Sequence, residues 1–394
     1  MTGEWVTGGR ADGESAVDVD AASVPRRVGF VWHELYGWHD TGTAAGIPEP
    51  GLSVQPYRNF ESADSKVRMA SLVRAVGYDR HLVSLEPVAI GVDDLTRVHT
   101  VRHVESIRQQ SEQGGGDGGD GYTPFGSGSY EIARLAVGGT WRALSAVLSG
   151  EVDHAYALVR PPGHHAESDL GRGYCLFSNI AVAVRKALAE GMARRIAIVD
   201  YDVHHGNGTQ QAFYDDPNVL TISVHQQNLF PQESGEFDEQ GVGDGRGANI
   251  NVPLYPGSGN GVYLSVIDLV VAPALRRFRP DLIVVASGFD AAALDPLGAM
   301  TVTAGGYGRL ATALRDLADE LCDGRLVFSH EGGYSAEHVP YCGLAVLEAL
   351  AGVPSGVNDP WQVLIPYPHQ EQPRPDLLVP VHRAAELVAE VPTP

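Results

Sequence analysis

Five short apolar runs constrain this chain more than anything else in it: AYALVR (155–160), RIAIVDY (195–201), VLTISV (219–224), LIVVAS (282–287) and RLVFS (325–329). Each is too short for a helix. None alternates between apolar and polar residues as a half-exposed strand would, so they read as strands buried on both faces. Helix-length stretches lie between and around them, at 130–148, 179–190, 262–277, 305–321 and 340–351. Parallel strands need crossovers of that length, and the alternation predicts a layered α/β domain with helices on both faces of a parallel sheet. VGFVW (28–32) reads as an earlier strand, and 62–76 as a helix that Ser62 or Asp64 caps.

The remaining segments lack such periodicity. Residues 1–26 read as a disordered leader, 27–353 as one domain, and 354–394 as a Pro-rich tail that packs on the domain or serves as an oligomer arm. SEQGGGDGGDGYTPFGSGS (111–129) reads as a Gly-rich loop. Gly114, Gly116 and Gly119 spell GxGxxG, but the helix-like VESIRQQ precedes them where a dinucleotide fingerprint needs a strand, which excludes that reading.

Composition narrows the function classes. Hydrophobic residues make up 43% of the 394, enough for a large core. Lys and Arg number 28 against 49 Asp and Glu, a net charge of −21. That argues against nucleic-acid binding, which needs a cationic footprint. It is compatible with a cationic substrate. No apolar run approaches the roughly 18 residues of a membrane span. The start has no secretory apolar region, and the segment after Arg26-Arg27 is too polar for a twin-arginine signal. Cys175, Cys322 and Cys342 do not form a disulfide framework. A cytoplasmic protein is the expectation.

The chemistry sits just past the strands. AYALVR runs into Pro161-Pro162-Gly163-His164-His165, and RIAIVDY into Asp200, Asp202, His204, His205 and Asn207. His225 follows VLTISV, Asp290 follows LIVVAS, and His330-Glu331-Gly332-Gly333-Tyr334 follows RLVFS. The carboxyl edge of a parallel sheet is where ligands bind. Asp202 and His204, two apart, point the same way on an extended backbone. With Asp290 they form a mixed carboxylate–imidazole set suited to zinc with an open position for water. The bland reading, that Asp202 and His204 merely cap a helix, loses ground once Asp290, the tandem histidines and Tyr334 converge. Asp200 can orient one ring of the His164–His165 pair and Asn207 the other, an arrangement for proton transfer. Other hydrolase signatures fail: there is no GxSxG elbow and no P-loop, and His33-Glu34 lacks a second His at the metalloprotease spacing.

RPPGHHAE, GYCLFSN, DYDVHHGNGT, ISVHQ, SGFDA and EGGY, in this order, resemble the histone deacetylase family, with most similarity to the bacterial class II deacetylase-like amidohydrolases. LYGWHDTG (35–42) and GSGSYEIARLAVGG (126–139) extend the likeness from about Val28 to Val353. The resemblance implies the arginase/deacetylase fold, a central eight-stranded parallel sheet flanked by helices. It implies zinc ligands Asp202, His204 and Asp290, His165 as general base and then acid, and His164 as its electrostatic partner held by Asp200. Asn207 stands where class I members carry Asp, so His165 is oriented by an amide. Tyr334 corresponds to the oxyanion donor. Gly173, Tyr174, Phe230 and Leu297 match the acyl-lysine tunnel, and Asp117 or Asp120 the rim Asp that grips substrate. Potassium sites map onto Asp200, Asp202, His204, Ser223 and Val224, and onto Phe213, Asp216 and Val219.

The activity implied is zinc-dependent removal of acyl groups from N-acyl-lysine, or from a small N-acyl amine such as an acetylpolyamine or an N-acetylated biosynthetic intermediate. Two further readings stay open: a two-manganese ureohydrolase of the same superfamily, disfavoured because no Asp stands two residues after Asp290, and a non-catalytic acyl-lysine binder, disfavoured because Tyr334 and the ligand set are intact.

Overall fold

In the computed structural model, which describes residues 26–43, 51–365 and 370–394, the apolar runs pair into one eight-stranded parallel sheet. Its strands are β1 (Val28–Val31), β2 (Leu82–Ser84), β5 (His154–Ala157), β6 (Ile196–Asp200), β7 (Val219–Gln226), β8 (Asn249–Leu254), β9 (Leu282–Ser287) and β10 (Leu326–His330), in spatial order β2-β1-β5-β10-β9-β6-β7-β8. β3 (Gly115–Asp117) and β4 (Pro124–Gly126) form a separate antiparallel hairpin within the Gly-rich stretch read as a loop. The eleven α-helices among the described residues are α1 (Asp64–Ala75), α2 (Val92–Leu95), α3 (Val101–Glu112), α4 (Ser129–Leu148), α5 (Asn179–Ala189), α6 (Asn207–Phe213), α7 (Asn260–Val266), α8 (Ala272–Phe278), α9 (Ala304–Leu321), α10 (Val339–Ala351) and α11 (Val379–Leu387). The leader read as disordered lies, but for Arg26, outside the described residues.

Both faces of the sheet are covered, as unbroken apolar strands require. Side chains two apart on a strand share a face. Accordingly Ile283 and Val285 of β9 join Ala197, Val199 and Phe328 in the core under α9 and α10, whereas Leu282, Val284 and Ala286 join Ile196, Ile198 and Val327 in the core under α4 and α5. All are essentially inaccessible to water. Each such large side chain contributes roughly 1.5–3 kcal/mol on burial. Beyond Val353, Leu377, Val381, Ala384 and Val391 are buried in the first of these cores, with α11 against β8.

Three local readings change. AYALVR is a strand only through Ala157; Leu158, Val159 and Arg160 leave the sheet to enter the site loop. β8 and the short edge strand β2 are additional. Helix α1 starts after Ala63, with neither Ser62 nor Asp64 as a cap.

The strand order positions the chemistry. After β5 the chain leaves two slots in the sheet and continues at β6; β10 and β9 fill those slots later. The loops leaving β5, β10, β9 and β6 therefore meet at one carboxyl edge, at the place where strand order reverses.

Candidate active site

Arg160 opens the site loop. Its buried guanidinium donates through Nε to both Glu61 carboxylate oxygens at 2.9 and 3.0 Å, and through Nη1 to the carbonyls of Tyr36 and His39 at 3.0 and 2.6 Å. Three and four residues on, the backbone N–H groups of Gly163 and His164 donate to Glu331, just past the end of β10, at 2.6 and 3.1 Å. The backbone of the histidine pair is thus held from a strand 167 positions away in sequence.

The two rings lie with centroids 4.0 Å apart and have different partners. His164 Nδ1 is 2.9 Å from Asp200 Oδ2, and His165 Nδ1 is 2.8 Å from Asn207 Oδ1. Burial opposes a charge on His164, but the carboxylates of Asp202 and Asp200 outweigh it and hold its pKa well above the usual imidazole value. Burial, with the neighbouring His164 and His204 rings, drives His165 well below that value. The two rings of the pair are thus pushed in opposite directions.

Beside them Asp202, His204 and Asp290 are buried, and each offers a donor atom within 4.8 Å of the others. His204 Nδ1 is 3.0 Å from Asp202 Oδ1 and 3.0 Å from Asp290 Oδ2. The outer oxygens are oriented by backbone: Val203 N donates to Asp290 Oδ1 and Gly332 N to Asp202 Oδ2, both at 2.8 Å. Gly288 and Gly332 close the cradle, since a Cβ on either would stand 2.1 Å from a carboxylate oxygen, that of Asp202 for Gly288 and that of Asp290 for Gly332. Burial and the adjacent Asp202 charge push Asp290 up to about 6. Against its own burial, the hydrogen bonds to Asp202 and Asp290 lift His204 to about 10. Two buried carboxylates around one imidazole suit a cation, and a divalent ion bound there would displace a proton from His204. One imidazole nitrogen and two carboxylates are a donor set that zinc accepts with a position left open. Two residues after Asp290 stands Ala292, which supplies no ligand for a second metal.

Tyr334 follows Gly332 and Gly333 on the loop after β10. Asp295, on the loop after β9, aims it: Oδ2 accepts the backbone N–H groups of Tyr334 and Ser335 at 2.7 and 3.2 Å, and Oδ1 that of Leu297 at 3.0 Å. Burial, then the charges of Asp290 and Asp202, hold the Tyr334 phenol well above its usual pKa, so it stays a donor. Lys66, fully buried on α1, donates to the Gly333 carbonyl at 3.2 Å, lies 3.4 Å from Glu61 and sits 5.2 Å over the Tyr334 ring.

Aromatic walls surround this floor. Tyr174 meets Tyr334 edge-on at 5.8 Å, and Phe230 meets His165 edge-on at 4.9 Å. Gly173 between them has φ +55°, and a Cβ there would stand 2.3 Å from the His165 ring and 2.9 Å from Phe230, so only glycine fits. The two acidic residues of the Gly-rich stretch are used differently. Asp117 accepts the N–H groups of Gly119, Gly121 and Thr123 and is spent inside its own loop. Asp120 accepts Gly173 N at 3.0 Å and thus stands beside the aromatic walls.

Other sequence-derived positions lie behind the floor. Asp200 and Ser223 are register partners on β6 and β7, with Val224 next along. Phe213, Asp216 and Val219 form the turn from α6 into β7, where Asp216 N donates to Phe213 O at 3.0 Å. His225 lies within β7, bonded to Ser223 Oγ and the Gly235 carbonyl, both at 3.0 Å, and is a satisfied interior residue. Sequence reasoning passed over Glu61, Lys66, Arg160, Glu167, Asp295 and Glu331 as functional groups. Arg160 and Glu167 stand within RPPGHHAE and Glu331 within EGGY; nothing in the pattern around Glu61 or Lys66 marks them as buried.

An α/β layer structure with a buried carboxylate–imidazole–carboxylate centre at the carboxyl edge of its sheet has a site that could hold a metal ion. Residues 60–350 match the histone deacetylase domain. The chain is 46% identical over 338 residues to the histone deacetylase-like amidohydrolase of Pseudomonas aeruginosa, covering 85% of this chain and 89% of that one. It is 41% identical over 334 residues to a probable deacetylase of Archaeoglobus fulgidus, covering 84% and 89%. The crystal structure of the HDA15 HD domain superposes with a TM-score of 0.80 at 31% identity, over 92% of this chain and 96% of that one. The chain belongs to the histone deacetylase family and is a deacetylase of that family. Among the described residues no helix is long and apolar enough to cross a membrane.

Proposed function

We propose that the protein is a zinc-dependent deacylase of N-acyl-lysine or a closely related N-acyl amine. The observation that carries the reading is the buried Asp202–His204–Asp290 set beside two adjacent histidines whose Nδ1 atoms meet different partners, Asp200 and Asn207. Asp202, His204 and Asp290 would hold the metal, which when bound supplies a Lewis acid to a water and an amide carbonyl. His165, neutral at Nε2, takes a proton from water and returns it to the leaving amine. His164, whose pKa the carboxylates of Asp202 and Asp200 raise, favours the developing negative charge. Tyr334 donates to the oxyanion, in the way backbone and side-chain donors do in other acyl-transfer sites.

Gly173, Tyr174, Phe230 and Leu297 form the tunnel that seats a straight acyl-lysine arm, and Asp120, with its carboxylate beside Gly173, is the rim group that grips the substrate backbone. Potassium ions at Asp200–Asp202–His204–Ser223–Val224 and at Phe213–Asp216–Val219 complete the proposal as structural cofactors.

The test is turnover of an acetyl-lysine peptide and an acetylpolyamine side by side, with Tyr334→Phe as the control. Peptide turnover that falls about 10²–10³-fold in the variant supports the reading. Preference for the polyamine moves the substrate to small N-acyl amines. An unchanged rate in Tyr334→Phe overturns the oxyanion role.

A further inference from the structure

We propose that Glu167 is a positioning residue that, through the Asn207 amide, selects the tautomer of His165. This rests on His165 acting as the base. Asn207 Oδ1 lies 2.8 Å from His165 Nδ1, while its Nδ2 donates to Glu167 Oε1 at 2.7 Å and to the His165 carbonyl at 3.3 Å. Two acceptors on the nitrogen side allow the amide one orientation. Turned over, Oδ1 would face a carboxylate oxygen and a carbonyl oxygen, each without a proton to share. With Oδ1 toward the ring, Nδ1 must carry the proton and Nε2 must carry the lone pair. The carboxylate therefore dictates which nitrogen is basic while touching neither.

Glu167 is itself held by several partners. Oε1 is 3.2 Å from Arg172 Nη1, Oε2 accepts Gln211 Nε2 at 3.1 Å, and the Glu167 carbonyl accepts His99 Nδ1 at 2.9 Å. Arg172 carries the connection outward: its Nη2 pairs with Glu233 at 2.7 Å and its guanidinium lies 5.2 Å over Phe230, the ring that packs on His165. The relay and the tunnel wall are thereby clamped by one side chain.

The arrangement explains the amide at 207. An aspartate there would set a second carboxylate 2.7 Å from Glu167. Only a group with both an acceptor and donors spans from an imidazole N–H to a carboxylate. His164 has no such spacer and meets the Asp200 carboxylate directly at 2.9 Å.

The alternative is that Glu167 only pins its surface loop through Arg172. Asn207→Asp, Glu167→Gln, Glu167→Ala and the double variant Asn207→Asp/Glu167→Gln separate the two. All are measured for kcat and KM on an acetyl-lysine peptide, with metal content and thermal stability checked. Asn207→Asp should lose about 10²-fold in kcat with KM little changed. The double variant exchanges amide and carboxylate along the same path and should recover at least about tenfold of that loss, a coupling that neighbouring groups show and independent ones do not. Histidine-selective ¹⁵N NMR should show a protonated Nδ1 on His165 in the wild type, and mixed tautomers in Glu167→Ala. Additive losses in the double variant, or an unchanged tautomer in Glu167→Ala, overturn the proposal. Full turnover by His165→Ala would instead overturn the base assignment, leaving the tautomer measurement to be read by itself.

Discussion

Gly332→Ala perturbs the metal cradle without replacing a ligand. Gly332 does not sit in the left-handed region, so alanine meets no backbone penalty there. Its Cβ would stand 2.1 Å from Asp290 Oδ2 and 2.6 Å from Asp202 Oδ2, where ordinary contact begins at 3.4 Å. The Asp290 oxygen must retreat by 3.4 − 2.1 = 1.3 Å, against a tolerance of about 0.2 Å in metal–ligand distance. Loss of an outer partner of a metal ligand typically costs 10–100-fold in affinity, and displacement of a ligand itself belongs at the upper end. We expect zinc affinity to fall about 100-fold, equivalent to about 2.7 kcal/mol. The assay is competition for zinc against a chromophoric chelator, with turnover followed in parallel and circular dichroism confirming the fold. Gly305→Ala is the control: it lies near the start of α9, where a Cβ finds only Thr303 Oγ1 at 3.9 Å, and its affinity should not change. Wild-type zinc affinity in Gly332→Ala would refute the steric reading of the cradle.

Glu331 is fully buried, and burial pushes its carboxyl up from 4.5 to about 7. The folded state therefore binds this proton more tightly than the unfolded one. Its contribution is complete below about pH 4.5 and is lost as pH rises through about 7, some 3 kcal/mol in all. Urea unfolding at pH 5 and pH 8 should show Glu331→Gln gaining about that much relative to wild type between the two; a constant difference would refute it. Arg160→Met removes the bidentate partner of buried Glu61, and breaking such a pair costs about 3–5 kcal/mol by thermal unfolding; a smaller loss would show that Lys66, 3.4 Å from the same carboxylate, takes over. Chelation should lower the melting temperature, because Asp202 and Asp290 then face each other without a dication, and readdition should restore it at one equivalent of zinc per chain. A requirement for two equivalents would revive the two-metal reading.

The strands visible in the sequence were those buried on both faces, because an unbroken apolar run needs no partner to be recognised. β2 is three residues long at the sheet edge and largely exposed, so it carries no such signal. β8 reads NINVPL, and its polar members are buried: the Asn249 and Asn251 amides both donate to Gln210 Oε1, at 2.7 and 2.9 Å. The run pairs with β7 along its backbone, and its amide nitrogens find their acceptor only in the folded chain. The β3–β4 hairpin is mostly glycine and proline, with almost no side-chain pattern to read.

By itself the sequence determined the residue types, their local periodicity, and their position just past strand ends. That was enough for the fold class and the Asp202–His204–Asp290 set. The tertiary structure decided what depends on strand order. β10 and β9 insert between β5 and β6, and so Glu331 reaches Gly163 and His164, Gly332 reaches Asp202, and Asp295 reaches the Tyr334 backbone. It also decided which way an amide faces and which carboxylates flank the His204 ring. Those outcomes are set by distances of about 3 Å between groups far apart in the chain, in a medium where each unpaired polar atom is costly. Periodicity describes neighbours along the chain and carries no information about neighbours across it.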